Sequence, residues 1–228
     1  MADLEAGKLR VAEKVDGVWQ VNTWVKKVIL AGFKLGQVTD MSQGQFPFFD
    51  KDTFPVKTFK PEDGVRIVPG GTSIRRGAYV DSGTMVDSHV TIGSCAQVGK
   101  NIHISAATQI GGVLEPAGAM PTIIEDGAFV GGNCGIYEGT IVQEGAVIAS
   151  GVIITAATAI FDATTGEFVP RNADGRVVVP RGAVVVSGSK PLKRGPGAGS
   201  GVSLYCPVIV KYRDEKTAGS VVLEDLLR

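Results

Sequence analysis

The sequence predicts a mainly β protein, a left-handed parallel β-helix, on three observations. An aliphatic residue recurs every six positions at Val80, Val86, Ile92, Val98, Ile104 and Ile110, then in a new phase at Ile124, Val130, Ile136, Val142, Ile148, Ile154 and Ile160. Two positions before each aliphatic of the second block stands a mostly small or β-branched residue: Thr122, Ala128, Cys134, Thr140, Ala146, Val152 and Thr158. The residue that follows is often glycine, as at Gly93, Gly99, Gly111 and Gly131. A period of six matches neither the strand nor the helix. It is the period of a hexapeptide prism, in which each unit is a short flat strand plus a corner and three units close a triangular coil of about eighteen residues. The aliphatic residues point inward, and the coils are stable only when stacked.

Taken in order, residues 1–64 form a helix-containing region ahead of the prism. Within it "VNTWVKKVILAGFKL" (21–35) predicts an amphipathic helix with Trp24, Val28, Ile29 and Phe33 on its apolar face and Lys26, Lys27 and Lys34 outside it. Asn22 or Thr23 is the expected N-cap. "FPFFDKDTFPVKTFKPEDG" (46–64) is aromatic, broken by proline and expected to be irregular. The prism is assigned to 65–190, its register running back through Ile74 to Val68 and returning at Val179 and Val185. "VLEPAGAMPT" (113–122) and "DATTGEFVPRNADGR" (162–176) interrupt it as exposed loops. Residues 191–228 form a C-terminal extension, with a strand at "SLYCPVIVKYR" (203–213) and a closing helix at "GSVVLEDLLR" (219–228).

Composition excludes several classes. Lys and Arg number 23, as do Asp and Glu, and no stretch is basic enough for a nucleic-acid or anionic-membrane partner. No apolar run is long enough to span a bilayer, and residues 1–20 lack a signal-peptide core, so a soluble cytoplasmic protein is expected. Cys95, Cys134 and Cys206 form no CxxC pair and read as small reduced core residues. His89 and His103 fall short of the three histidines of an intersubunit zinc site, so no metal is expected. His89 reads as a general base or as an exposed corner histidine.

"GTMVDSHVTIGSCAQVGKNIHIS", "IGGVLEP", "PTIIEDGAFVGG", "SLYCPVIVK" and the N-terminal "LRVAEKVDGVWQVNTWVKKVIL" closely resemble the tetrahydrodipicolinate N-succinyltransferase family over nearly the whole chain. The resemblance implies acyl transfer from succinyl-CoA to the amino group of 2-amino-6-oxopimelate, in lysine and diaminopimelate synthesis. It implies a homotrimer with intersubunit active sites. An acetyl-CoA-dependent N-acetyltransferase of the same fold and a non-catalytic scaffold remain as alternatives.

Carried over residue by residue, Asp87 in "GTMVD" matches the acidic residue beside the amine, and Arg66 in "GVRIVP" matches an arginine for a substrate carboxylate. Ala106, Gly132, Ala149 and Ser150 are expected as backbone contacts of CoA, and Lys190, Lys193 and Arg194 as partners of its phosphates. The glycine corners near Gly111, Gly112, Gly131 and Gly132 allow a ligand close to backbone. Three departures stand out. Many members carry a second acidic residue where this chain has Gly135, and Glu138, three residues on, belongs to another face or corner. "IRRGAYVDSGTMVD" lacks a further stretch of about one coil. The N-terminal helical region is also shortened.

Overall fold

The hexad period is realised as short strands in three parallel sheets. The computed structural model describes residues 2–55 and 57–214. The first face stacks Tyr79–Val80, Gln97–Val98, Ile123–Ile124, Ile141–Val142 and Val178–Val179. The second stacks Arg66–Ile67, Met85–Val86, His103–Ile104, Phe129–Val130, Val147–Ile148 and Ala183–Val186. The third stacks Ser73–Ile74, Thr91–Ile92, Gln109–Ile110, Gly135–Ile136 and Ile153–Ile154. This is the left-handed parallel β-helix.

Register follows from the repeat. Val80, Val98, Ile124, Val142 and Val179 stand directly above one another, as do Val86, Ile104, Val130, Ile148 and Val185. All ten are buried in one continuous core, each aliphatic side chain contributing on the order of 1.5–3 kcal/mol. The small or β-branched positions turn into the prism near the corners. There the Thr84 hydroxyl donates to the Gly99 carbonyl, and Thr108 to that of Gly131 (2.8 Å each), so interior hydroxyls are satisfied by backbone. The corners themselves repeat every six residues with positive φ, at Gly77, Gly83, His89, Cys95, Asn101 and Ala107, then Gly127, Asn133, Gly139, Gly145 and Gly151. His89 is thus an exposed corner residue at φ 59°. Cys95 is buried, and burial pushes its thiol up to about 12.

The register breaks one unit earlier than expected. Ile67, not Val68, lies opposite Val86, because Gly70 and Gly71, at φ 133° and 85°, absorb one extra residue before Ile74.

The N-terminal region lies on the first face and on the corner beside it. A hairpin of Ala12–Val15 and Val18–Val21 packs Ala12, Trp19 and Val21 against Met120, Ile123 and Ile141. Arg10 stacks 3.6 Å over the Tyr79 ring, and its Nε donates to Gln97 at 2.8 Å. The helix at Thr23–Leu35 forms as expected but is rotated. Val25, Lys26 and Ile29 are its buried residues, whereas Trp24 is 57% and Val28 49% exposed. The reason lies in the 113–122 insertion, whose Pro116 and Ala119 carbonyls accept from the Lys26 ammonium at 3.1 and 2.7 Å. Asn22 holds the N-cap position without capping, since its side-chain amide donates to the Arg10 carbonyl instead. The expected irregular stretch contains a strand, Phe49–Lys51, paired with Val38–Asp40.

The second insertion is also more ordered than a loop, since Phe161–Asp162 and Glu167–Phe168 form an antiparallel ribbon. The expected strand at 203–213 is two strands, Ser203–Tyr205 and Val208–Tyr212, paired to Ser189–Pro191 and Ala183–Val186 respectively. Pro207, which has no N–H to offer a ladder, lies in the break. The helix expected at 219–228 lies outside the described residues.

Candidate active site

Two corners of the prism differ in how their outward amides are met. Along the corner between the first and second faces, four of the five equivalent amides are closed by side chains, and that of Asp126 has no partner among the described residues. Ser82 N–H donates to Asp81, Lys100 N–H to Asp126, Glu144 N–H to Glu125 and Arg181 N–H to Gln143. Along the corner between the second and third faces, the equivalent positions are 88, 106, 132 and 150. Ser88 N–H donates to the Asp87 carboxylate at 2.7 Å. The N–H groups of Ala106, Gly132 and Ser150 have no hydrogen-bond partner among the described residues. They recur at the coil spacing of about 4.8 Å, a ladder of donors facing outward.

A groove of about 490 Å³ runs along that corner, lined by Asp87, Ser105, Ala106, Phe129, Gly131, Gly132, Asn133, Ala149 and Ser150. Six residues singled out in the sequence therefore meet there: Asp87, Ala106, Gly131, Gly132, Ala149 and Ser150. Asp87 is half-buried at its foot. Its N–H donates to the Ile104 carbonyl (3.0 Å), and its carbonyl accepts from the Thr72 hydroxyl (2.7 Å), which fixes the backbone that carries the carboxylate. Phe129 stacks on His103 with ring centroids 4.5 Å apart. Under the groove the Cys134 thiol donates to the Ala149 carbonyl at 3.1 Å, and burial pushes its pKa up. Gly131 has no room for a side chain, since a Cβ there would sit 2.5 Å from the Ser150 nitrogen.

Other expected site residues lie elsewhere. Arg66 is exposed on the second face beside Met85 and does not line the groove. Lys190 lies on the Ser189–Pro191 strand with its ammonium 5.2 Å over the Phe168 ring, and Lys193 is exposed beyond it; neither lines the groove of its own chain. Gly111 and Gly112 serve packing. Gly112 abuts the Ser94 carbonyl, and a Cβ on Gly111 would meet Tyr137 at 3.2 Å. Ser105, Phe129 and Asn133 were not singled out in the sequence, although each occupies the same hexad column as a residue that was.

Two family models match the chain, the N-terminal region of tetrahydrodipicolinate N-succinyltransferase over residues 1–35 and the hexapeptide repeat of succinyl-transferase over 121–156. The 2,3,4,5-tetrahydropyridine-2,6-dicarboxylate N-succinyltransferase of Methylococcus capsulatus is 47% identical over 246 residues, covering 99% of this chain and 86% of the relative. The chain belongs to this family. The N-succinyltransferase of Acinetobacter baylyi is 46% identical over 249 residues, covering 100% of this chain and 87% of its own length. Among solved structures, the acetyltransferase domain of PglB from Neisseria gonorrhoeae with acetyl coenzyme A overlaps 54% of this chain and 48% of its own, at 17% identity and a TM-score of 0.38.

Against other N-succinyltransferases, the Methylococcus match runs over 246 positions where this chain has 228 in all, so at least eighteen positions have no counterpart here. At Gly135, on the third face beside Gln109, a Cβ would stand 2.5 Å from the Tyr137 ring. The ring thus fills the space of a side chain at 135, and its hydroxyl donates to Gln109 at 2.9 Å. Glu138 sits on the corner between the third and first faces and accepts from Ala156 N–H, away from Asp87.

Proposed function

We propose that the protein is a succinyl-CoA-dependent N-succinyltransferase that acylates the amino group of 2-amino-6-oxopimelate, with the acyl donor lying along the groove between the second and third faces. Family membership supports the reaction, and one observation supports the place: Asp87 stands at the foot of a groove lined by Ala106, Gly132 and Ser150, whose N–H groups are open to a ligand. The amine nitrogen attacks the thioester carbonyl and a C–N bond forms. The carbonyl oxygen gains negative charge, which an outward N–H of the groove is suited to hold. Asp87 accepts or guides the proton leaving the ammonium. Collapse breaks the C–S bond, and the CoA thiolate leaves and is protonated. Lys190 and Lys193 take their phosphate roles from a neighbouring copy in a cytoplasmic homotrimer, since neither lines the groove of its own chain, and Arg66, on the strand beside Met85, takes the substrate carboxylate. No metal takes part in this reading.

The test is release of free CoA thiol with 2-aminopimelate as the amine. Turnover with succinyl-CoA exceeding that with acetyl-CoA is expected. Asp87→Asn should lower kcat by about 10²–10⁴ without changing the fold. Full turnover in that variant removes Asp87 from the proton step. Preference for acetyl-CoA would overturn the acyl assignment, and a monomer at micromolar concentration the intersubunit site.

A further inference from the structure

A second cavity lies apart from the groove. About 790 Å³ in volume, it lies between the N-terminal region and the first coil, where Thr72 and Arg75 line it. Its back wall is the stacked pair Phe33 and Phe54, with ring centroids 3.9 Å apart. Its rim is Phe46, Phe48 and Phe49, which are 68, 50 and 65% exposed. Three large rings held at an opening, with none tucked into the core, form a surface that the fold itself does not need.

The opposite wall is charged. Lys57 and Arg76 share Glu5 at 3.8 and 3.6 Å, and Arg75 meets Asp50 at 3.5 Å. Lys57 and Arg76 are largely covered, while the Arg75 side chain remains 51% exposed. Asp63 also acts on Lys57, so three cations face three carboxylates, and the Arg75–Asp50 pair is of the exposed, weak kind that a ligand anion can replace. Rings on one side and a guanidinium on the other match an aromatic plane carrying one negative group.

We propose that this cavity is a second ligand site, separate from the groove, for a planar aromatic monoanion stacked on the Phe46–Phe49 rim with its anionic group on Arg75. The site touches the groove's own framework. Thr72, in its wall, holds the Asp87 carbonyl at 2.7 Å.

The probe is 8-anilino-1-naphthalenesulfonate, titrated into the full-length protein and followed by fluorescence and calorimetry. One saturable site per chain is expected. Arg75→Gln and Phe48→Ala should each weaken it about tenfold, the loss of one charge-assisted contact or one ring contact. Both side chains are half exposed, so the variants should melt as the parent does. Phe168→Ala, which removes a ring of similar exposure elsewhere, should leave the titration unchanged. Saturating CoA should not displace the probe. Non-saturating uptake, equal losses in Phe168→Ala, unchanged binding in Arg75→Gln, or displacement by CoA would each overturn the proposal. None of these outcomes depends on acyl transfer, so the site stands or falls apart from the proposed reaction.

Discussion

Lys26→Met tests whether the buried lysine clips the N-terminal helix to the prism. Lys26 is 0% exposed, and its ammonium donates to the Pro116 and Ala119 carbonyls at 3.1 and 2.7 Å. Methionine preserves most of the aliphatic stem but leaves both carbonyls without this donor. A buried acceptor stranded in this way costs about 1–3 kcal/mol. Against this stands relief from burying a charge. Burial, joined by nearby Arg176 and opposed by Cys95, holds the Lys26 pKa below its ordinary 10.5. The expected net loss is about 2–4 kcal/mol, and at about 2–4 °C per kcal/mol for a chain of this size the midpoint should fall by roughly 5–15 °C. Calorimetry gives the midpoint, and amide exchange in 113–121 should accelerate if the clip is lost. The pH dependence has a definite sign. Between the folded pKa and 10.5 the unfolded chain binds the extra proton, so wild-type stability rises with pH there and its margin over Lys26→Met widens. An unchanged or raised midpoint would mean that the cost of burying the ammonium cancels its hydrogen bonds, and the clip would be refuted.

Other predictions follow the same logic. Gly131→Ala should cost about 1–3 kcal/mol and raise KM for the acyl donor, because a Cβ would meet the Ser150 amide. Gly127→Ala, on another corner with open space around it, should cost about 1–2 kcal/mol for its left-handed backbone and leave KM alone; equal KM effects would detach the groove from the donor. Gly135→Ala should cost about 1–3 kcal/mol in the parent and under about 0.5 in Tyr137→Ala, a non-additivity readable by urea unfolding, and additive costs would show that the ring does not own that space. At Asp162 burial pushes the carboxyl up, but hydrogen bonds from Thr164 and Tyr212 outweigh it and hold the group below 3.8. That stability is present above 3.8 and lost as pH falls through the lower folded value, so Asp162→Asn should destabilise at neutral pH and converge with wild type in acid. A gap independent of pH in thermal melts would contradict it.

How far the fold was legible depended on where its physics is local. The inward column from Ile74 to Val185 could be counted directly, because in a stacked solenoid each residue's environment is set by its place in a short unit. Where contacts were not local, reading failed in specific ways. Lys26 reads as an outward lysine on any helical wheel, and only the folded 113–122 insertion turns it inward. Val68 reads in register until the paired glycines at 70 and 71 add a residue. The cavity was foreshadowed by the phenylalanines of 46–59, but their common opening arises from a hairpin that proline and aromatic content disguised. In the groove, the members in the same hexad column were legible from resemblance. Which amides stay open was not, since it requires knowing which of them Asp81, Asp126, Glu125 and Gln143 already cap.

Shortening by at least eighteen positions relative to the Methylococcus N-succinyltransferase is a discrete change in this architecture. A prism can lose a whole coil without shifting any side chain between inside and outside, whereas losing one residue from a strand would invert its face. Beyond the extra residue at Gly70 and Gly71, the first coil accordingly stacks without offset, Ile74 on Ile92 and Val80 on Val98. What changes is the distance along the axis. Removing a coil moves everything before it about 4.8 Å nearer the rest. If the missing coil lies after "RRGAY", as the motif junction indicates, the N-terminal region is the part that moved. The Thr72 hydroxyl then becomes a structural tie between that region and Asp87, and the aromatic cavity comes to adjoin the foot of the groove. The groove amides of Ala106, Gly132 and Ser150 lie beyond the junction and keep their mutual spacing. Any functional consequence should therefore concentrate where the acceptor amine approaches Asp87, not where the acyl donor lies.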